Sequence, residues 1–111
     1  MNSFRSAETP DAFVVRRADS GTNVLLELIG ELDVAGVDRL NEATRHLPAH
    51  SHVTIDLSEL AFMDSSGIRV LMGLDLRSRS ERWTLILHAP QPQVLSVLTL
   101  CGFVDRFEIT P

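Results

Sequence analysis

Short blocks of apolar and polar positions divide the chain into readable elements. Phe13 to Arg17 (FVVRR) is a β-prone run. Ala18 to Asn23 (ADSGTN) carries turn chemistry, and Val24 to Ile29 (VLLELI) is a second run, so a hairpin is expected. After Gly30-Glu31-Leu32-Asp33 the period changes. Val37, Leu40, Thr44 and Leu47 recur at three- and four-residue steps, the spacing of one helix face. Asp33 stands where an N-cap belongs, and Pro48 predicts a stop near Leu47.

His52 to Leu57 alternates, with Val53, Ile55 and Leu57 pointing one way and Thr54 and Asp56 the other. This is the signature of a half-buried strand. Phe62-Met63-Asp64-Ser65-Ser66-Gly67 follows, then a helix expected to reach about Ser78. Trp83 to Leu87 is short and nearly all apolar, which suits a central strand. Pro92 can open a third helix, and Gly102 suits its end beyond Cys101. Arg106 to Ile109 closes the pattern as a short strand. The order β-β-α-β-α-β-α-β predicts an α/β fold, a mixed sheet whose parallel pairs are joined by helical crossovers.

Composition narrows the function. The 111 residues are one domain's worth, with residues 1–11 read as a polar tail and 12–111 as the domain. The net charge of −5 speaks against a nucleic-acid or anionic membrane surface. All ten basic residues are arginine, which removes lysine-nucleophile and Schiff-base chemistry. A single cysteine, Cys101, cannot form an internal disulfide and fits a reducing compartment. No apolar run approaches the roughly 18 residues of a membrane span, and the N-terminus lacks a signal-peptide core. A cytoplasmic domain is expected.

Asp64-Ser65-Ser66-Gly67 is the informative stretch. A serine where a strand feeds a helix is expected to cap that helix, close to converging amides and the positive end of its dipole. A phosphate there adds about −1.5 to −2 charges at one surface point without unfolding the helix. The same four residues are also a plain cap sequence. Beyond them Ile68, Val70, Leu71, Met72, Leu74 and Leu76 cover more of the helical circumference than one sheet-facing stripe needs. Packing against neighbouring helices is the favoured reading of that excess. Exposure near Ser65, covered by a partner, is the other.

Three segments together resemble a known family. Gly30-Glu31-Leu32-Asp33, Phe62-Met63-Asp64-Ser65-Ser66-Gly67-Ile68 and Cys101-Gly102-Phe103 stand in the order and spacing of the STAS domain, and within it of the bacterial anti-sigma factor antagonists. The resemblance covers about residues 12–109. It implies a single STAS-like domain, a mixed sheet of about five strands with helices mainly on one face. It also implies a switch rather than an enzyme. The unphosphorylated antagonist binds an anti-sigma factor serine kinase and releases the sigma factor. The kinase phosphorylates the serine after the motif aspartate, here Ser65, and binding is lost. A metal-dependent serine phosphatase resets the protein. Asp33, Asp64, Ser66, Gly67, Ile68 and Arg69 are the expected partner surface. Arg69 stands where the family often has a small residue, and a guanidinium there can pair with a phosphate or select a differently charged partner. The chain ends at Pro111, about where a further helix often begins, which would leave apolar surface uncovered. Within the same fold, the alternatives are a STAS subunit docking an ATPase in a transporter or lipid-trafficking complex, and a domain sensing a nucleotide or small ligand.

Other residues carry weaker readings. His46, His50 and His52 suggest metal by spacing, but Pro48 prevents the first two from sharing a helix face and no acid lies between them. A solvated loop with no metal or cofactor is expected. No G-x-S-x-G elbow surrounds Ser65, so hydrolase chemistry is not expected. Cys101 reads as a buried small hydrophobe. Arg77, Arg79 and Arg82 read as a solvated face or an acidic-partner contact.

Overall fold

The strand that ends at Met63, just before Asp64, is twice as long as its alternating stretch suggested, and this extension builds the end of the molecule that carries Asp64. The computed structural model describes residues 13–111, so the expected tail over residues 1–11 lies outside the described residues. Its elements are Phe13–Ser20 (β1), Asn23–Leu32 (β2), a 3-10 turn at Val34–Gly36, Val37–Ala43 (α1), His52–Met63 (β3), Ser65–Glu81 (α2), Thr84–His88 (β4), Pro92–Leu100 (α3), a 3-10 turn at Phe103–Asp105, and Glu108–Thr110 (β5). The strands form one five-stranded sheet in the order β1-β2-β3-β4-β5. Its first pair is antiparallel and the other three are parallel. This is the expected mixed α/β sheet.

β1 and β2 make a tight hairpin. Ser20 pairs with Asn23 across a turn in which Gly21 takes φ 59°. A left-handed residue is readily supplied by glycine. The six-residue loop expected here is shorter, because the strands continue to Ser20 and start again at Asn23.

Alternation sorts the sheet into two faces. Val24, Leu26 and Leu28 of β2, Val53, Ile55 and Leu57 of β3, and Leu87 of β4 are buried against the helices. Leu40 of α1, Leu71 and Leu74 of α2, and Val94 and Leu98 of α3 pack onto them in one core. Burial of each such side chain contributes about 1.5–3 kcal/mol. The other face carries a polar row, Arg16, Glu27, Asp56, His88 and Thr110, one residue from each strand in register.

β3 continues to Met63 because β2 keeps pairing with it, out to Leu32 opposite Met63. On its other side β4 stops at His88 opposite Asp56. The exposed edge is served instead by side chains of α3 and its cap. Gln91 Nε2 donates to the Ser58 carbonyl at 2.8 Å and Gln93 Nε2 to the Ala61 carbonyl at 2.9 Å. Carbonyls that a strand would otherwise pair are thus satisfied.

α1 ends at Ala43 rather than near Leu47. The Thr44 hydroxyl is buried and donates back to the Leu40 carbonyl at 3.0 Å. Arginines then take the free carbonyls at the helix end: Arg17 Nη1 bonds Ala43 O at 3.0 Å, and Arg77 Nη2 bonds Thr44 O at 2.9 Å. Arg77 also lies over the Trp83 ring, 4.7 Å from its centroid. The expected solvated arginine face is therefore partly structural. Arg79 pairs with buried Asp75 while staying largely exposed, and Arg82 is exposed too, ending α2 in the left-handed conformation.

Cys101 is exposed, not buried. α3 stops at Leu100, Gly102 turns the chain with φ 76°, and Phe103 fills the core position instead. Phe103 meets Phe107 with ring centroids 5.4 Å apart.

Candidate functional site

Two aspartates leave the carboxyl ends of neighbouring parallel strands. Leu32 of β2 and Met63 of β3 are register partners, and each is followed directly by Asp: Asp33 and Asp64. Both are extended residues whose side chains cap a following turn or helix. Asp33 Oδ1 accepts from Ala35 N–H at 2.9 Å, and Asp64 Oδ1 accepts from Ser66 N–H at 2.9 Å. The Asp64 amide donates to the Leu32 carbonyl at 3.2 Å, tying the two strand ends together. The distant GELD and MDSSG segments thus form one surface.

The cap of α2 is Asp64, and Ser65 is the first helical residue rather than the cap. Asp64, one residue earlier, is the last extended residue, and its carboxylate accepts the Ser66 amide in a charge-assisted bond. Ser65 is left exposed, with its hydroxyl unbonded among the described residues. Ser66 is half-buried behind it.

Gly67 and Ile68 lie inside. Their expected place on a partner surface becomes a supporting one. A Cβ on Gly67 would stand 2.4 Å from Met63 Cγ and 3.1 Å from Leu32 Cδ2. The missing side chain lets α2 sit directly on the two strand ends. Ile68 joins the core beneath. Arg69 is exposed one turn after Ser65.

The surroundings of Ser65 are apolar to a degree that the motif alone does not reveal. Val34, just after Asp33, is 75% exposed, and Phe62, two residues before Asp64, is 48% exposed. Along α2, Met72 is 41% and Leu76 60% exposed. Residues 65, 69, 72 and 76 share one helix stripe, while Ile68, Leu71, Leu74 and Asp75 fill the opposite one. Core packing therefore accounts for the inner half of the apolar excess and exposure for the outer half. Phe62 and Val34 were missed by sequence reasoning. The only available signal was their position beside the capping aspartates.

A groove of about 670 Å³ lies elsewhere, between β1 and α1, lined by Val14, Val15, Asp38, Arg39, Glu42 and Ala43. Arg39 is tied there to the Phe13 carbonyl. His52 Nδ1 sits 2.9 Å from the Thr84 hydroxyl, and no cluster of three metal-ligating side chains occurs among the described residues. No helix among them is long and apolar enough to cross a membrane.

The geometry can be set against known proteins at this point. A family model described as "Mlab, STAS domain" matches residues 15–110. The chain belongs to the STAS domain family. Solved STAS structures share its fold at low identity. A Thermotoga maritima protein, a candidate anti-sigma factor antagonist, superimposes with TM-score 0.79 at 17% identity, covering 87% of this chain and 86% of its own. An anti-sigma factor antagonist from Mycobacterium paratuberculosis gives 0.77 at 23% identity, over 95% and 91%. The anti-sigma factor antagonist SpoIIAA in its unphosphorylated form gives 0.72 at 23%, over 90% and 89%. The phosphorylated form of the Bacillus protein gives 0.66 at 22%, over 90% and 92%. No curated protein matches the sequence. In this STAS domain, the two capping aspartates stand at neighbouring strand ends, and Ser65 opens the helix whose exposed stripe carries Met72 and Leu76.

Proposed function

We propose that this STAS domain is an anti-sigma factor antagonist whose binding is switched off by phosphorylation of Ser65. The observation that carries the reading is the state of Ser65. Ser65 is exposed and its hydroxyl makes no hydrogen bond among the described residues, at the first position of α2, directly after the capping Asp64. The fold shared with antagonists, one of them solved with and without its phosphate, supports it.

The chemistry asks little of this chain. A partner kinase supplies ATP and the base. Ser65 Oγ attacks the γ-phosphorus and the Oγ–P bond forms. The bond from that phosphorus to the β–γ bridging oxygen breaks, ADP leaves, and the hydroxyl proton passes to the kinase base. Asp64, already engaged with the Ser66 amide, fixes the backbone that presents Ser65. The unmodified surface is a docking surface because Val34, Phe62, Met72 and Leu76 gain from burial. A phosphate in its midst brings about −1.5 to −2 charges into an interface that is otherwise apolar, and burying them uncompensated is costly. A metal-dependent serine phosphatase is the proposed resetting partner.

The test is a pull-down from the native cells with Ser65→Ala and Ser65→Asp as baits. A kinase-fold ATP-binding protein should be retrieved by Ser65→Ala and depleted with Ser65→Asp. Equal retrieval of that protein by both baits contradicts the switch. The alternative is a STAS subunit docking an ATPase within a transporter or lipid-trafficking complex. In that case both baits retrieve the same membrane-complex ATPase, and Ser65 carries no phosphate in cells.

A further inference from the structure

We propose that Arg69 is a shared cation of this surface, pairing with a partner carboxylate while Ser65 is unmodified and turning onto the phosphate when Ser65 carries one. The phosphate half rests on the proposed phosphorylation of Ser65; the carboxylate half needs only that this surface docks a protein.

The argument begins with helix geometry. Residues 65 and 69 are four apart on α2 and therefore neighbours on its surface. Helical side chains lean toward the N-terminus, so the long Arg69 side chain leans over the turn that holds Ser65. Both residues are exposed.

Arg69 is also free, where most arginines of this chain are committed. Arg17, Arg77, Arg79 and Arg106 each bond a carboxylate or a carbonyl of the fold. Among the described residues, nothing pairs with Arg69. The two nearby motif acids already accept capping amides, Asp33 from Ala35 and Asp64 from Ser66.

Its setting determines which partner suits it. Met72 and Leu76 continue the Ser65–Arg69 stripe. A protein that covers those side chains also strips water from Arg69. An unpaired guanidinium in such an interface is costly, so the partner that fits must present an acidic residue there, flanked by apolar surface. A phosphate on Ser65 competes for the same cation with the advantage of being intramolecular. It offers three acceptor oxygens and more charge than a carboxylate, and the planar guanidinium fork can take two of those oxygens at once. Phosphorylation then weakens docking twice, by adding an anion and by withdrawing the cation that the partner needs.

The experiment uses the full chain with phosphoserine installed at position 65 by genetic code expansion. The phosphate is titrated by ³¹P NMR, in the parent and in Arg69→Gln and Arg69→Lys. Circular dichroism confirms that these surface variants keep the fold. The parent should ionise lower than Arg69→Gln by a few tenths of a pH unit, Arg69→Lys should lie between, and 1 M salt should erase the difference. Superimposable titrations of parent and Arg69→Gln overturn the proposal. On the docking side, unphosphorylated Arg69→Gln should lose roughly tenfold in affinity for whichever protein the Ser65→Ala bait retrieves, kinase or transporter ATPase. Unchanged affinity overturns it as well. Both readings stay separate from the proposed function, whose failure is seen in the pull-down: the same ATPase retrieved by both baits ends the switch, yet the titration still measures Arg69.

Discussion

Gly67 shows how closely the chemistry of the site depends on one missing atom group. A methyl at that position would stand 2.4 Å from Met63 Cγ, in the middle of a buried side chain rather than at its free end. Gly67→Ala should therefore lose stability even though alanine is the better helix former, which alone favours it by about 0.8–1 kcal/mol. Overpacking typically costs about 1–3 kcal/mol, and that opposing cost is the one expected to win. Chemical denaturation should show a lowered midpoint with an unchanged slope, and a midpoint raised above the parent would mean that Met63 yields freely. The neighbouring residues divide in legibility. The capping role of an acid or serine at this point was readable from type and position, because few residues satisfy a first-turn amide. The sequence reading put that cap on a serine, and the structure gives it to Asp64. Asp64, the last extended residue, takes the cap with a charged acceptor, and Ser65 is left unbonded among the described residues.

At the scale of an element, α2 is a helix with two different outer tasks. One stripe is core, and Asp75 lies within that buried set, its carboxylate 3.1 Å from Arg79 and 2.9 Å from Arg106. The Arg106 bond fastens the helix to the turn that precedes β5. Because both arginines are partly exposed, the pair is screened and its loss should be moderate. Asp75→Asn should cost about 1–2 kcal/mol in thermal or urea unfolding. Arg106→Gln should cost less, since Arg79 then still pairs with the carboxylate. If both substitutions leave stability untouched, the bridge is ornamental. Element boundaries mark where sequence reading stopped short. The alternation that identified β3 ends at Leu57; pairing with β2 carries the strand on to Met63, and Gln91 and Gln93, more than thirty positions away in the chain, satisfy its free edge. α1 ends early because Arg17 and Arg77 take its last carbonyls. Such decisions are made by long-range side-chain contacts, which local periodicity does not contain. The kinds of elements and their order were legible because apolar period is set by burial on one face.

At the scale of the molecule, the sheet has one face packed under helices and one that no helix covers among the described residues, so two surfaces compete as the place where a partner sits. The polar face crosses all five strands, but its central row alternates Arg16, Glu27, Asp56 and His88, and charged side chains are costly to dry. The end built from Asp33, Asp64 and α2 instead exposes Val34, Met72 and Leu76, with Phe62 exposed on the strand just before Asp64. Burial of apolar area is the main favourable term in association, so the second surface is the stronger candidate. Hydrogen exchange on the complex retrieved by Ser65→Ala tests the choice. Protection should rise over residues 33–36 and 62–77 and stay level over β1 and β4. Leu76→Ala supplies the matching energetic test. On the free protein it should change stability by no more than about 0.5 kcal/mol, whereas Leu71→Ala, one stripe away on the same helix, should cost about 2–5 kcal/mol. In the complex the order reverses for surviving folded protein: Leu76→Ala weakens binding, because its side chain is 60% exposed only until the partner arrives. Protection confined to β1 and β4 would instead place the partner on the polar sheet face, and the role of Ser65 would have to be argued again from there.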